Sequence, residues 1–154
     1  MENLQNNVGD EIDINFKAYV YLTAHFIPDL MNRKESAIMN VSSGLGFIPM
    51  ASMPVYCATK AAVHSFTVSL RHQLNDSPVK VFEIIPPIVN TDLDKCARDK
   101  RGQSDRGILS EEVAKATLLE MEKNEFEIAI GMAQNIKTGA RDNFDQIFSR
   151  MNNQ

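Results

Sequence analysis

Two short apolar segments constrain the fold of this chain more than any other feature. SAIMNVS (residues 36–42) and VKVFEII (residues 79–85) are too short and too uniformly apolar for surface helices, and suit strands buried on both faces. Between them, apolar residues recur every three or four positions over residues 56–75, which is helical spacing. A strand, a helix and a second strand in this order predict a parallel sheet.

The rest of the chain extends this alternation. The other predicted elements are a helix over residues 11–32, a helix over 110–123, a strand over 126–131 and one final helix over 133–154. Pro28 is expected to kink or end the last turn of the helix over 11–32. Ser110 is expected to cap the helix over 110–123. The chain is therefore predicted to be a single α/β domain over residues 1–154, with about three strands. The polar segment 92–109 is interpreted as a solvated loop, with a substrate lid as the alternative.

Composition limits the classes of function. The chain has 16 Lys and Arg against 20 Asp and Glu, a net charge of −4, so it predicts no nucleic-acid partner and no anionic-lipid surface. No apolar run approaches the roughly 20 residues of a membrane span, and the polar amino terminus is not a secretory signal. Cys57 and Cys96 are far apart, without metal-ligand spacing, which predicts no metal site and no disulfide framework. These features predict a cytoplasmic protein.

One pair of residues has the spacing of an acid/base site. Tyr56 and Lys60 lie four residues apart, on one face of the predicted helix. An ammonium beside a phenol favours the phenolate, so Lys60 would lower the pKa of Tyr56. Ser43, thirteen residues before Tyr56, follows the first predicted strand, where open α/β sheets bind ligands, and its hydroxyl could hold a carbonyl oxygen. By spacing alone, Tyr56 and Lys60 also fit a solvated helix face.

The segment NVSSGLGFIPMASMPVYCATKAAV (residues 40–63) resembles the active-site segment of the short-chain dehydrogenase/reductase superfamily. The resemblance rests on Ser43, Tyr56 and Lys60 at the family spacing and on the small-residue run CATKAAV. It implies that these three residues are catalytic. Asn15, within INFKA, matches the family's helix Asn, which implies a fourth catalytic residue that holds a water between the lysine and solvent.

A second segment, IIPPIVNTDL (residues 84–93), resembles the family's PG-x-V-x-T segment. This implies that Pro86, Val89 and Thr91 bind the cofactor at its nicotinamide end, together with Tyr56 and Lys60. Pro87 stands where the family usually has glycine, which removes a backbone N–H from this turn. The double proline and the tail FDQIFSRMN are similar to the DltE-like branch of the superfamily.

The resemblance covers the carboxyl-terminal portion of the family's domain. The chain contains no G-x-G-x-x-G, so the resemblance implies a partial Rossmann-like, doubly wound sheet that lacks the glycine-rich half for the cofactor pyrophosphate. The implied activity is hydride transfer between NAD or NADP and a small-molecule alcohol or carbonyl substrate. Because the adenine end of the cofactor normally helps to position the nicotinamide, turnover by such a truncated domain is expected to be weak.

Three functions stay open at this point. The first is the oxidoreductase, and the second is a noncatalytic family remnant that acts as a dimerising or interaction module. In the family the two long helices commonly pair, which implies a homo-oligomer. The third function is an α/β binding module that holds another ligand at SSGLG. Cofactor binding would separate the first from the others, and a tight dimer without it would favour the second.

Overall fold

The computed structural model describes residues 8–93 and 107–153, which form a three-stranded parallel sheet flanked by helices. The strands are β1 (Ser36–Val41), β2 (Val79–Ile85) and β3 (Glu127–Ala129), in the order β1-β2-β3. The helices are α1 (Val8–Ile12), α2 (Ala18–Met31), α3 (Pro54–Gln73), α4 (Ser110–Glu122), α5 (Met132–Asp142) and α6 (Phe144–Asn152). The predicted α/β fold with three parallel strands is confirmed.

The central strand β2 holds most of the core. Its residues from Val81 to Ile85 are all buried, and Phe82 stacks on Phe126 with ring centroids 5.2 Å apart. The buried Val63 and Leu70 belong to α3, which packs on β2. A strand buried on both faces is the expected setting for a continuous apolar run, and the segment VKVFEII forms β2 at its predicted bounds.

Strand β1 is an edge strand within the described part of the chain. Met39 is 51% exposed, and Val41 is also exposed. A groove of about 580 Å³ separates α2 from this strand, and most of its lining is apolar, including Leu22, Phe26 and Ile38. The sheet therefore presents apolar surface at one edge, unlike the buried setting that its sequence predicts.

The first predicted helix, over residues 11–32, is confirmed as one continuous helical path from Val8 to Met31. The prediction did not include the π-helix (Asp13–Lys17), which lies between α1 and α2. The π-helical segment is only five residues long, which is too short for the spacing of apolar residues to distinguish it from an α-helix. Pro28 lies in the last turn of α2, which ends at Met31, and Asn32 Nδ2 donates to the Pro28 carbonyl oxygen at 2.9 Å.

Two predictions about helices were wrong. The tail forms α5 and α6 instead of one helix, because Asn143 takes a non-helical backbone (φ −139°, ψ 35°) between them. Gly139 then faces Ile147 across the two helices. Ser110 is the first residue of α4 and not its cap; the cap position is Leu109, whose N–H donates to Glu112 Oε2 at 2.9 Å.

The predicted loop over 92–109 lies mostly outside the described residues, so neither of its two interpretations is tested. Val89 and Ile108 form a parallel bridge that joins its two flanks, with Asn90 N–H donating to the Ile108 carbonyl oxygen at 2.9 Å. Among the helices that the structure describes, none has the length and hydropathy needed to cross a membrane. The described residues also contain no cluster of three or more potential metal ligands.

Candidate active site

The candidate site lies at the carboxyl ends of β1 and β2. Because the two strands are parallel, the residues that follow them leave the sheet at its same, carboxyl-terminal end. Ser43 follows β1 with an extended backbone (φ −165°, ψ 154°), and its Oγ accepts a hydrogen bond from Leu45 N–H at 3.2 Å. This bond begins a 3₁₀ turn (Gly44–Gly46), which fixes the direction in which the chain leaves the strand.

Gly46 brings this turn against helix α3. A Cβ atom at Gly46 would lie 2.9 Å from the backbone carbonyl carbon of Lys60, which is closer than real Cβ contacts. Only glycine allows the turn and the helix to approach this closely. The approach places the segment that carries Ser43 beside the helix that carries Tyr56 and Lys60.

Lys60 is the electrostatic centre of the site. Its side chain is buried, with the residue 8% exposed, and its Nζ donates to the Val41 carbonyl oxygen at 3.0 Å. Tyr19 Oη donates to the same oxygen, also at 3.0 Å. The Nζ atom lies 5.7 Å from the ring centroids of both Tyr19 and Tyr56, within the range of a cation–π contact. Burial lowers the pKa of Lys60 and raises the pKa of Tyr19.

Tyr56 and Asn15 lie on the two elements that flank this ammonium. Tyr56 is half-buried in the first turn of α3, four residues before Lys60. Asn15 is half-buried in the π-helix, four residues before Tyr19. The π-helix packs on α3, where the rings of Phe16 and Phe66 meet edge to face at 6.3 Å. These contacts place Tyr56 and Lys60 beside the end of β1, with Ser43 on the adjoining turn and Asn15 on the π-helix that packs on α3.

Three of the predicted cofactor-binding residues lie on the loop after β2. Pro86 follows the strand directly and is half-buried, and Val89 forms the bridge with Ile108. Thr91 is exposed, and its Oγ1 accepts from Leu93 N–H at 3.5 Å. The loop leaves the sheet at the end where Ser43 lies, so it flanks the same site.

A buried polar network beside this site was not predicted from the sequence. Glu83 in β2 is fully buried, and its Oε1 accepts from Ser42 Oγ at 2.5 Å. Its Oε2 lies 2.7 Å from Nδ1 of His64, which is in α3. The available signal was a single acid inside an otherwise apolar strand, VKVFEII, since an acid is rarely buried without a partner.

Comparison with known proteins identifies the family of this chain. The family model for short chain dehydrogenase matches residues 2–102. The chain is 47% identical over 146 residues to the uncharacterized oxidoreductase DltE of Bacillus subtilis, covering 95% of this chain and 58% of that protein. The resemblance to the DltE-like branch is thus confirmed. The chain spans little more than half the length of this relative.

Solved structures show the same fold. A short chain dehydrogenase from Burkholderia cenocepacia, in complex with NADP, matches with a TM-score of 0.81 and 26% identity, over 94% of this chain and 58% of that one. A short chain dehydrogenase/reductase from Burkholderia phymatum, in complex with NAD, matches with a TM-score of 0.77 over 98% of this chain and 62% of that one, and its 22% identity supports the fold alone. On the family model and these relatives, the chain belongs to the short-chain dehydrogenase family.

Proposed function

We propose that this chain carries the catalytic part of an NAD- or NADP-dependent oxidoreductase that interconverts a small-molecule alcohol and a carbonyl compound. The observation that carries the proposal is the buried Lys60 ammonium, held at the end of β1 beside Tyr56, with Ser43 on the adjoining turn. The related structures contain NADP or NAD, which supports a nicotinamide cofactor and leaves the choice between the two open.

The donor set at this site fits such a cofactor. An ammonium has three donors, and Lys60 gives one to the Val41 carbonyl oxygen among the described residues. The others can reach ribose hydroxyls. We assign the nicotinamide end of the cofactor to Pro86, Val89 and Thr91, whose loop leaves the same end of the sheet. The bound cofactor supplies or accepts the hydride.

The remaining chemistry belongs to the side chains. During reduction Tyr56 Oη gives its proton to the carbonyl oxygen, and during oxidation it takes the proton from the alcohol. The Ser43 hydroxyl donates to the same substrate oxygen and so orients it. The charge of Lys60 stabilises the Tyr56 phenolate. Asn15 holds a water that returns the proton between Lys60 and solvent.

Binding of reduced cofactor tests this assignment. Titration with NADH and NADPH, followed by fluorescence, should show saturable binding that Lys60→Ala weakens by about tenfold or more, because a charge-assisted hydrogen bond contributes about 1.5–3 kcal/mol. Tyr56→Phe should bind cofactor but catalyse no turnover. Lys80→Ala is the control, since Lys80 is a half-exposed lysine paired with Glu35 at 2.8 Å. Equal affinities for the wild type and Lys60→Ala would contradict the assignment.

We further propose that the protein is cytoplasmic and that it pairs with a second copy through α2 and α3. The exposed apolar side chains of these helices also support the alternative, a noncatalytic interaction module. Helix α2 exposes large apolar side chains, including Tyr21 and Leu22, and α3 exposes Val68. Sedimentation velocity tests the pairing of two copies. Leu22→Glu is the variant, and Leu118→Glu, on α4, is the control. A dimer that Leu22→Glu dissociates, in a chain that binds no cofactor, would favour the module.

A further inference from the structure

Glu83 is a buried acid that the proposed mechanism does not use. It lies in the central strand β2 at 0% exposure, opposite Asn40 of β1 and Glu127 of β3. Removing a carboxyl group from water is costly unless each oxygen gains a partner. Both oxygens of Glu83 have one: Ser42 Oγ donates to Oε1, and His64 Nδ1 lies within hydrogen-bond distance of Oε2.

These two partners are sequence neighbours of the candidate catalytic residues. Ser42 directly precedes Ser43, and the Ser42 N–H donates to the Ile84 carbonyl oxygen at 2.9 Å. His64 follows Lys60 by one turn of α3. Glu83 therefore connects the end of β1 to the helix face that carries the acid/base pair, through β2.

We propose that Glu83 is a positioning residue that clamps Ser42 to His64 and so fixes Ser43 relative to Tyr56 and Lys60. The clamp itself is a property of the fold, and its purpose in orienting substrate rests on the proposed function. Placement matters because reacting groups must be held within a few tenths of an ångström of their working geometry. The predicted consequence is that the turn after β1 responds to the state of His64.

The surroundings of His64 make this response measurable. Its hydrogen bond to Glu83 raises the pKa of His64 above the ordinary 6.5, against the opposing effect of burial. Glu127 from β3 and Lys137 and Arg141 from α5 line the same cavity of about 310 Å³, and the Phe47 ring lies 4.5 Å from the imidazole. Protonation of His64 strengthens its bond to Glu83, and the change passes to Ser42 through the other carboxylate oxygen.

A pH titration of the uniformly ¹⁵N-labelled chain by NMR tests the proposal without any cofactor. In the wild type, the amide shifts of Ser43 and Leu45 should follow the same transition as the His64 ring. In Glu83→Gln the pKa of His64 should fall toward its ordinary value. In Ser42→Ala the pKa of His64 should stay raised, but the amides of Ser43 and Leu45 should stop following it.

Glu127→Gln is the matched control. Glu127 also faces His64, but its carboxylate pairs with Lys137 at 2.5 Å and with Arg71 at 3.5 Å. Its removal should leave the coupling between His64 and Ser43 intact. The proposal is overturned if the two amides ignore His64 in the wild type, or if they still follow it in Ser42→Ala, which keeps the test decisive even if Glu83→Gln does not fold. Neither result depends on whether the chain binds a nicotinamide.

Discussion

At the scale of single residues, the defining feature is the desolvated Lys60. Transfer of an ammonium from water to the protein interior costs several kcal/mol unless other groups replace its hydration. The Val41 carbonyl oxygen and the two tyrosine rings replace part of it. The same desolvation lowers the pKa of Lys60, because burial disfavours the charged form.

The pairing of His64 with Glu83 predicts a pH-dependent stability. The folded pKa of His64 is raised, so its stabilising contribution is complete below the unfolded value near 6.5 and is lost as the pH rises through the folded pKa. The loss in unfolding free energy caused by His64→Ala should therefore be larger at about pH 5.5 than at about pH 9. Urea denaturation of both proteins across this range measures it. An equal loss at both ends would contradict the ion pair.

The close approach at Gly46 predicts a steric penalty. Gly46→Ala places a Cβ atom 2.9 Å from the Lys60 carbonyl carbon, so the turn must move away from α3. We expect a loss of about 1–3 kcal/mol in unfolding free energy, the usual cost of overpacking. Gly9→Ala is the control, because nothing lies within 4 Å of a Cβ there. Chemical denaturation giving equal stabilities for the two variants would contradict the close packing.

At the scale of elements, β1 and β2 differ sharply although both sequences predict buried strands. Strand β2 lies between two strands and under α3, whereas β1 has one strand neighbour among the described residues. Its side chains alternate, with Met39 exposed and Asn40 buried, where Asn40 Nδ2 donates to Thr67 Oγ1 at 2.9 Å. The stability of the sheet should therefore depend mainly on β2.

This difference predicts unequal effects of truncating apolar side chains. Ile85→Ala in β2 removes a side chain with 0% exposure and should cost about 2–5 kcal/mol of unfolding free energy. Met39→Ala in β1 removes a half-exposed side chain and should change it by less than about 0.5 kcal/mol. Thermal or urea denaturation compares the two. A large loss for Met39→Ala would mean that β1 is covered in solution, as it would be in a homo-oligomer that buries this edge.

At the scale of the whole molecule, the site is assembled from four separate elements. The π-helix, the turn after β1, helix α3 and the loop after β2 each contribute one or more of the assigned residues. The parallel sheet makes this possible because the carboxyl ends of β1 and β2 lie at the same end of the sheet. The pairing of the parallel strands thus determines where the site lies in the fold.

The sequence predicts the parts of this arrangement that depend on local spacing. Tyr56 and Lys60 share a helix face because they are four residues apart, and the apolar run of β2 identifies a buried strand. The contact of Glu83 with Ser42 and His64 was not predictable, because it depends on strand register and helix packing. The break at Asn143 was missed for a different reason: one residue changes backbone conformation without changing the apolar period on either side.

The proposed nicotinamide site is tested most directly by determining which part of NADPH, if any, contacts this chain. The chain contains the residues assigned to the nicotinamide end and no G-x-G-x-x-G for the pyrophosphate. In saturation-transfer-difference NMR with NADPH, we expect stronger saturation of the nicotinamide protons than of the adenine protons, and we expect Lys60→Ala to abolish it. Saturation that is strongest on adenine, or unchanged by Lys60→Ala, would contradict the proposed site.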